Sequence, residues 1–351
     1  MDEIKEEIRK QEKIKLSSFT TALVKNLISI KQKSPIDENS KIIVSNTVSF
    51  LALVYEKIRN AVEYREEHLI RRAAIERILK RKLLLNPSGK GEAENLLREL
   101  LWARYFPNGS LSLTDVDNVQ ILIDTYVKLR DKLTLGQTQD KKTFYAQFLF
   151  DMLTCEIEES LDPVEAKKIA LFTFYVYQVL RRKIKIEKVS TELKDAYFYV
   201  AVEKGYAKSD LAYLRYHLFI LSHKTLREFA QGNLESLASQ LPSILERIEK
   251  IIKGAPVEKL TKFIRQNLPP FSILFATMNR NLQNADEVLT NKDLLWSKVD
   301  QICREKYQQT GNRLRSLGIR SLIYIFLTKM IFAIALEWPL SIYLYKEVNI
   351  S

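Results

Sequence analysis

From Lys41 to Leu84 the chain runs 44 residues without a glycine or a proline. Within that run Val44, Val48, Leu51, Tyr55, Ile58 and Val62 recur every three or four residues. This spacing places them on one face of a helix and matches no strand period. The same pattern recurs along the sequence, and glycine is scarce throughout: 9 residues of 351, against a usual ~7%. Few glycines mean few tight turns. The pattern therefore predicts an all-α protein: an irregular multi-helix bundle of roughly a dozen helices, with one very long helix near 41–84. Such a helix would reach about 65 Å, with 44–62 more deeply packed than the polar 63–82.

Breaks between periodic segments suggest three parts: 1–135, containing the long helix; 136–253, rich in aromatic residues; and 254–351, ending in an apolar segment. SLDPVEA at 160–166 reads as a helix start, with Asp162 as cap, Pro163 in the first position and Glu165 at the third. Thr114 or Asp115 is the expected cap of the helix that follows FPNGSLSLTD. The helix holding ALFTFYVYQVL (170–180) is apolar nearly all round, so it is expected to be central. Pro269 and Pro270 are expected to end the helix before them, and TGN at 310–312 marks a further break. RRKIKIEKVST (181–191) and SLSL (110–113) are the stretches most like strands. They read as a minor ribbon or, more simply, as extended linkers.

Apolar residues make up 46% of the chain and charged residues 28%, a globular composition that excludes a wholly disordered chain. The formal net charge is +12, spread along the chain with no basic tail. It favours polyanionic or anionic-membrane partners without specifying a fold. Cys155 and Cys303 stand alone, which suits a reducing cytoplasm. The opening MDEIKEEIRK lacks the apolar core of a secretory signal.

Catalytic motifs are missing. His217 and His223 are six apart, which does not put two ligands on one helix face. GKGE at 89–92 lacks phosphate-loop spacing. Adjacent acids such as Glu158 and Glu159 read as solvated. No catalytic residue, metal ligand or cofactor is expected.

Three functional readings remain. The leading one is a non-enzymatic interaction or scaffold protein, cytoplasmic over most of its length and attached to a membrane through 320–345. There Ile323, Ile325, Phe326, Ile331, Phe332, Leu336 and Trp338 would be membrane-embedded, and Arg313, Arg315 and Arg320 would contact anionic lipid. Lys329 and Glu337 interrupt the apolar run, so a buried core helix or a dimer interface competes with this reading. The second is nucleic-acid binding through the clusters 71–82 (Arg71, Arg72, Arg77, Lys80, Arg81) and 181–188 (Arg181, Arg182, Lys183). The third is an enzyme whose site is assembled from distant helices and not readable in the sequence. The partner is an anionic membrane surface, a protein or nucleic acid; the oligomeric state is open.

Overall fold

In the computed structural model, residues 13–30, 36–45, 66–186, 189–221 and 234–345 are described, together with His223, Thr225, Leu226 and Glu228. Among them are twelve α-helices: α1 (Ser18–Ser29), α2 (Glu67–Leu85), α3 (Glu92–Trp102), α4 (Leu113–Thr134), α5 (Gln139–Leu161), α6 (Pro163–Arg181), α7 (Thr191–Val202), α8 (Leu211–Ile220), α9 (Leu234–Ile252), α10 (Pro256–Arg280), α11 (Ala285–Thr290) and α12 (Lys292–Tyr345). No strand ladder occurs among the described residues, so the protein is all-α. The chain divides into two units, Ser17–Ser272 and Met1–Leu16 with Ile273–Ser351. The 135–142 connector lies inside the larger unit.

The helix expected from Lys41 is not formed over residues 41–45, and α2 begins at Glu67. Lys41 forms an antiparallel bridge with Ser112, and Ile42 N–H donates to the Leu111 carbonyl at 2.9 Å. The Asn108 side-chain amide donates to the Val44 carbonyl, and its oxygen accepts the Val44 N–H, both at 3.0 Å. Ile42 and Val44 are buried in this extended form. An amide side chain and a neighbouring loop thus satisfy backbone groups that a helix would have paired internally. Residues 46–65, with most of the predicted stripe, lie outside the described residues. SLSL therefore pairs with residue 41, not with 181–191.

In the larger unit α5 is the central helix. Every residue from Phe148 to Glu158 on it is buried, so it is covered on all sides by α2, α4 and α8, with α6 and α9 completing the shell. The expected centre, α6, is instead one-sided. Phe172, Tyr175 and Val176 face inward and Phe174 stays 55% exposed. Its inner face receives Leu23, Val24 and Leu27 of α1, and Tyr175 Oη lies 3.0 Å from Thr20 Oγ1.

Local chemistry sets several boundaries. Asp162 caps α6, accepting the Glu165 N–H at 3.3 Å, with Pro163 in the first turn, as expected. The cap of α4 is Ser112, two residues before the expected Thr114. Its hydroxyl accepts the Asp115 N–H while the Asp115 carboxylate accepts the Ser112 N–H at 2.8 Å, a reciprocal capping box.

Two predicted stops fail. Helix α10 continues through Pro269 and Pro270. Both prolines, and Arg265 and Gln266, whose carbonyls lose their helical partners, are exposed; water can take the freed carbonyls there. Helix α12 passes through Gly311, a cost of about 1 kcal/mol that a helix of 54 residues absorbs.

Between α7 and α8 the chain makes a π-helical turn, Glu203–Ala207. A Cβ on Gly205 would lie 2.6 Å from Ile264 Cγ2 and 2.9 Å from its Cβ. Ile264 is fully buried and cannot move aside. We expect Gly205→Ala to lower the stability of the full chain by about 1–3 kcal/mol, read as a reduced urea midpoint. Gly91→Ala, with open space around it but a φ of +74°, would lose stability through backbone strain alone.

Candidate functional site

Two features stand out: a buried ionic cluster around α5, and the apolar half of α12.

The cluster exists because α5 carries Asp151, Glu156, Glu158 and Glu159 into the centre of the larger unit. Isolated carboxylates there would be strongly disfavoured, and each finds a partner. Arg71 of α2 donates from Nε and Nη2 to Glu158 Oε1 at 2.8 and 2.7 Å and also reaches Asp162 at 3.1 Å. Tyr213 Oη donates to Glu158 Oε2 at 2.7 Å. Arg72 pairs with Asp210 at 2.6 Å and Glu76 at 3.0 Å. Arg215 of α8 bridges Asp151 and Glu249, over the Phe148 ring at 5.0 Å. Glu156 accepts the Leu226 N–H at 2.7 Å. His217 stands between two carboxylates, Glu159 at 2.9 Å from Nε2 and Glu203 at 3.0 Å from Nδ1.

These environments move the titrations apart. For His217 burial works against the charge, but the Glu203 carboxylate and the hydrogen bond to Glu159 prevail and raise its pKa to about 10. Burial pushes Glu158 up to about 7, against the pull of Arg71 and Tyr213. His68, packed edge-on to Tyr213, is lowered to about 4 by burial.

Glu158, Glu159, His68, His217, Tyr213 and Ser209 converge on one cavity. Its volume is about 20 Å³, room for a single water-sized molecule. Pockets for organic substrates run to roughly 300–1,000 Å³. The cluster is thus a clasp joining α2, α5 and α8. Among the described residues no group of three or more His, Cys, Asp or Glu side chains is arranged to hold a metal ion.

This clasp was hidden in the sequence, where Glu158 and Glu159 read as solvated; Glu158 is 2% exposed. The available signal was that these acids interrupt a segment otherwise apolar on every face, FLFDMLTCEIEES. Their partners lie 55 to 87 residues away.

The clasp takes two of the five residues named in the first proposed nucleic-acid cluster, Arg71 and Arg72. Arg71 and Arg72 are 6% and 5% exposed, so they cannot grip a phosphate in solution. Arg77 donates to Tyr105 Oη at 3.1 Å, and Arg81 pairs with Glu99. Lys80 is exposed. In the second cluster Arg181 pairs with Asp195, Arg182 lies 5.3 Å over the Phe19 ring, and Lys183 is exposed. The aromatic residues of 197–219 are mostly core: Phe198, Tyr213, Tyr216 and Phe219 are all under 4% exposed.

Helix α12 shows the opposite imbalance. It spans about 80 Å. Near its start Ile302 is buried, and Glu305 pairs with Arg280 at 2.6 Å. From Leu322 to Tyr343, thirteen large apolar side chains are 44–88% exposed. Among them Ile323, Ile325, Phe326, Ile331, Phe332 and Leu336 lie between 46% and 68%. Arg315 and Arg320 are exposed; the side chains of Arg313 and Trp338 lie outside the described residues. An 18-residue stretch of the helix has a mean hydropathy of 1.9 and is not buried at all. Among the described residues this is one helix long and apolar enough to cross a membrane.

No protein family matches the chain, and neither a curated protein nor a solved structure matches it.

Two outcomes test the clasp. Glu158→Leu takes the buried partner from Arg71, leaving it Asp162 and Glu67, and should cost about 1.5–3 kcal/mol; adding Arg71→Met should recover most of that when the two singles and the double are compared in a double-mutant cycle. The second concerns pH. His217 has a folded pKa above its unfolded value of 6.5, so its stabilisation is whole below pH 6.5 and is lost as the pH rises through about 10. The urea midpoint should therefore decline over that window, and His217→Gln should flatten the decline.

Proposed function

We propose that the chain is a membrane-anchored helical interaction protein. The apolar half of α12 enters the bilayer, and the larger unit stands in the cytoplasm as a preformed binding body. The observation that carries this is the exposure of thirteen large apolar side chains along a stretch of α12 with a mean hydropathy of 1.9. Ser321 to Tyr345 is 25 residues, about 37 Å of helix, against a hydrocarbon core of about 30 Å.

Magnitudes support the bilayer over water. Removing the thirteen exposed apolar side chains from water is worth on the order of 10–20 kcal/mol. Lys329 near mid-span opposes this by about 2.5–3.5 kcal/mol. Its stem leaves the helix toward the N-terminus, so its ammonium can reach back toward the headgroups on the Arg320 side. Arg313, Arg315 and Arg320 precede the apolar stretch with no acid after Glu305 until Glu337. This asymmetry orients the N-terminal side of the span toward the cytoplasm and its anionic lipid.

On cell fractionation the full chain should sediment with membranes, resist high salt and alkaline carbonate, and be released by detergent. Phe326→Arg with Phe332→Arg, which adds roughly 5–7 kcal/mol to insertion, should remove it from the membrane fraction. Recovery of the unaltered chain as a monodisperse soluble species without detergent would refute the anchor.

A further inference from the structure

A groove on the larger unit has no role in the clasp or the anchor. It runs between the C-terminal halves of α2 and α4 and the first turns of α5, with a volume of about 550 Å³. Its floor is apolar, formed by Leu83, Tyr126 and Phe150, each under 9% exposed. Its rim is cationic: Lys80, Arg130 and Lys142 line it, and no carboxylate does. Lys80 and Lys142 form no ion pair among the described residues. Arg130 lies 5.7 Å over the Tyr126 ring, donates from Nε and Nη2 to its neighbour Asp131 at 2.9 and 2.8 Å, and reaches the Pro87 carbonyl at 3.2 Å.

The shape decides the kind of partner. Small-ligand pockets cover 70–90% of what they bind. Here one wall is Leu84, 81% exposed, with Leu85 beside it at 82%. A wall so open leaves a small molecule uncovered on that side. It can seat one face of a helix, whose apolar residues at i, i+3, i+4 and i+7 fill the floor while its flanks meet the rim. Lys80 and Lys142, with no carboxylate on the lining, select acidic flanks.

The geometry points to this groove as the docking site for an acidic amphipathic helix of a partner protein. The occupant's leucine-like anchors lie over Leu83, Tyr126 and Phe150, and its carboxylates pair with Lys80 and Lys142. Because every lining residue belongs to the larger unit, the site does not depend on the membrane reading.

The test uses the full chain in phosphatidylcholine nanodiscs and a fluorescein-labelled peptide of about 18 residues, with Leu at i, i+3, i+4 and i+7 and Glu elsewhere. Fluorescence polarisation should show binding that weakens with salt. A peptide with Lys in place of Glu should not bind. Lys80→Glu combined with Lys142→Glu should reduce affinity at least about tenfold, with circular dichroism and melting unchanged. Leu84→Glu should do the same from the apolar wall, and Arg98→Glu, outside the groove, should have no effect. Failure of the acidic peptide to bind, or binding indifferent to both the double charge reversal and Leu84→Glu, would overturn the proposal. So would dodecanoate binding through Lys80 and Lys142 where the peptide does not, since the groove would then take a lipid-like anion.

Discussion

The larger unit is organised by the need to neutralise carboxylates that its central helix carries out of water. Buried apolar contacts alone would let α2 and α8 slide or rotate against α5, because hydrophobic attraction has no direction. Arg71 on Glu158, Arg215 between Asp151 and Glu249, and His217 between Glu159 and Glu203 fix both register and rotation. Each pair tolerates only a small displacement before a charge is left unpaired in low dielectric. Buried ion pairs add little net stability compared with well-packed apolar residues. Their effect here is to favour one packing of these helices over its neighbours.

The two halves of the charge problem are resolved in opposite ways. In the larger unit, charge is buried and matched. Along α12, apolar surface is exposed among the described residues. A helix with thirteen large apolar side chains in water is far from the usual balance of a soluble protein. Its neighbours along the chain are arginines followed by aromatic and aliphatic residues, an order suited to a headgroup layer and then hydrocarbon. Under the proposed anchor, the long stem of Lys329 would let its charge enter the apolar stretch without remaining at its centre.

Particular residues show how far the sequence could be read. Helical periodicity and scarce glycine predicted the class correctly, and Asp162–Pro163 announced its helix because a cap acts over three residues. Readings failed where a distant partner competed with a local preference. Ile42 and Val44 fit a helical stripe, yet Asn108 and Leu111 hold them extended. Pro269 and Pro270 signal a stop, yet they lie on an exposed face where the broken bonds can be solvated. The arginine pair 71–72 looks like a phosphate grip until Glu158 and Asp210 occupy it.

By itself the sequence determined the all-α class and an apolar stretch long enough to reach across a bilayer, because period, cap and hydropathy are properties of neighbouring residues. Only the tertiary structure decided that α5 is the centre, that its acids are a clasp, and that the apolar half of α12 is left uncovered. Those outcomes depend on which side chains meet across 55 to 87 residues of chain. Whether a charge or an apolar face finds a partner there is a matter of geometry, and no local spacing carries that information.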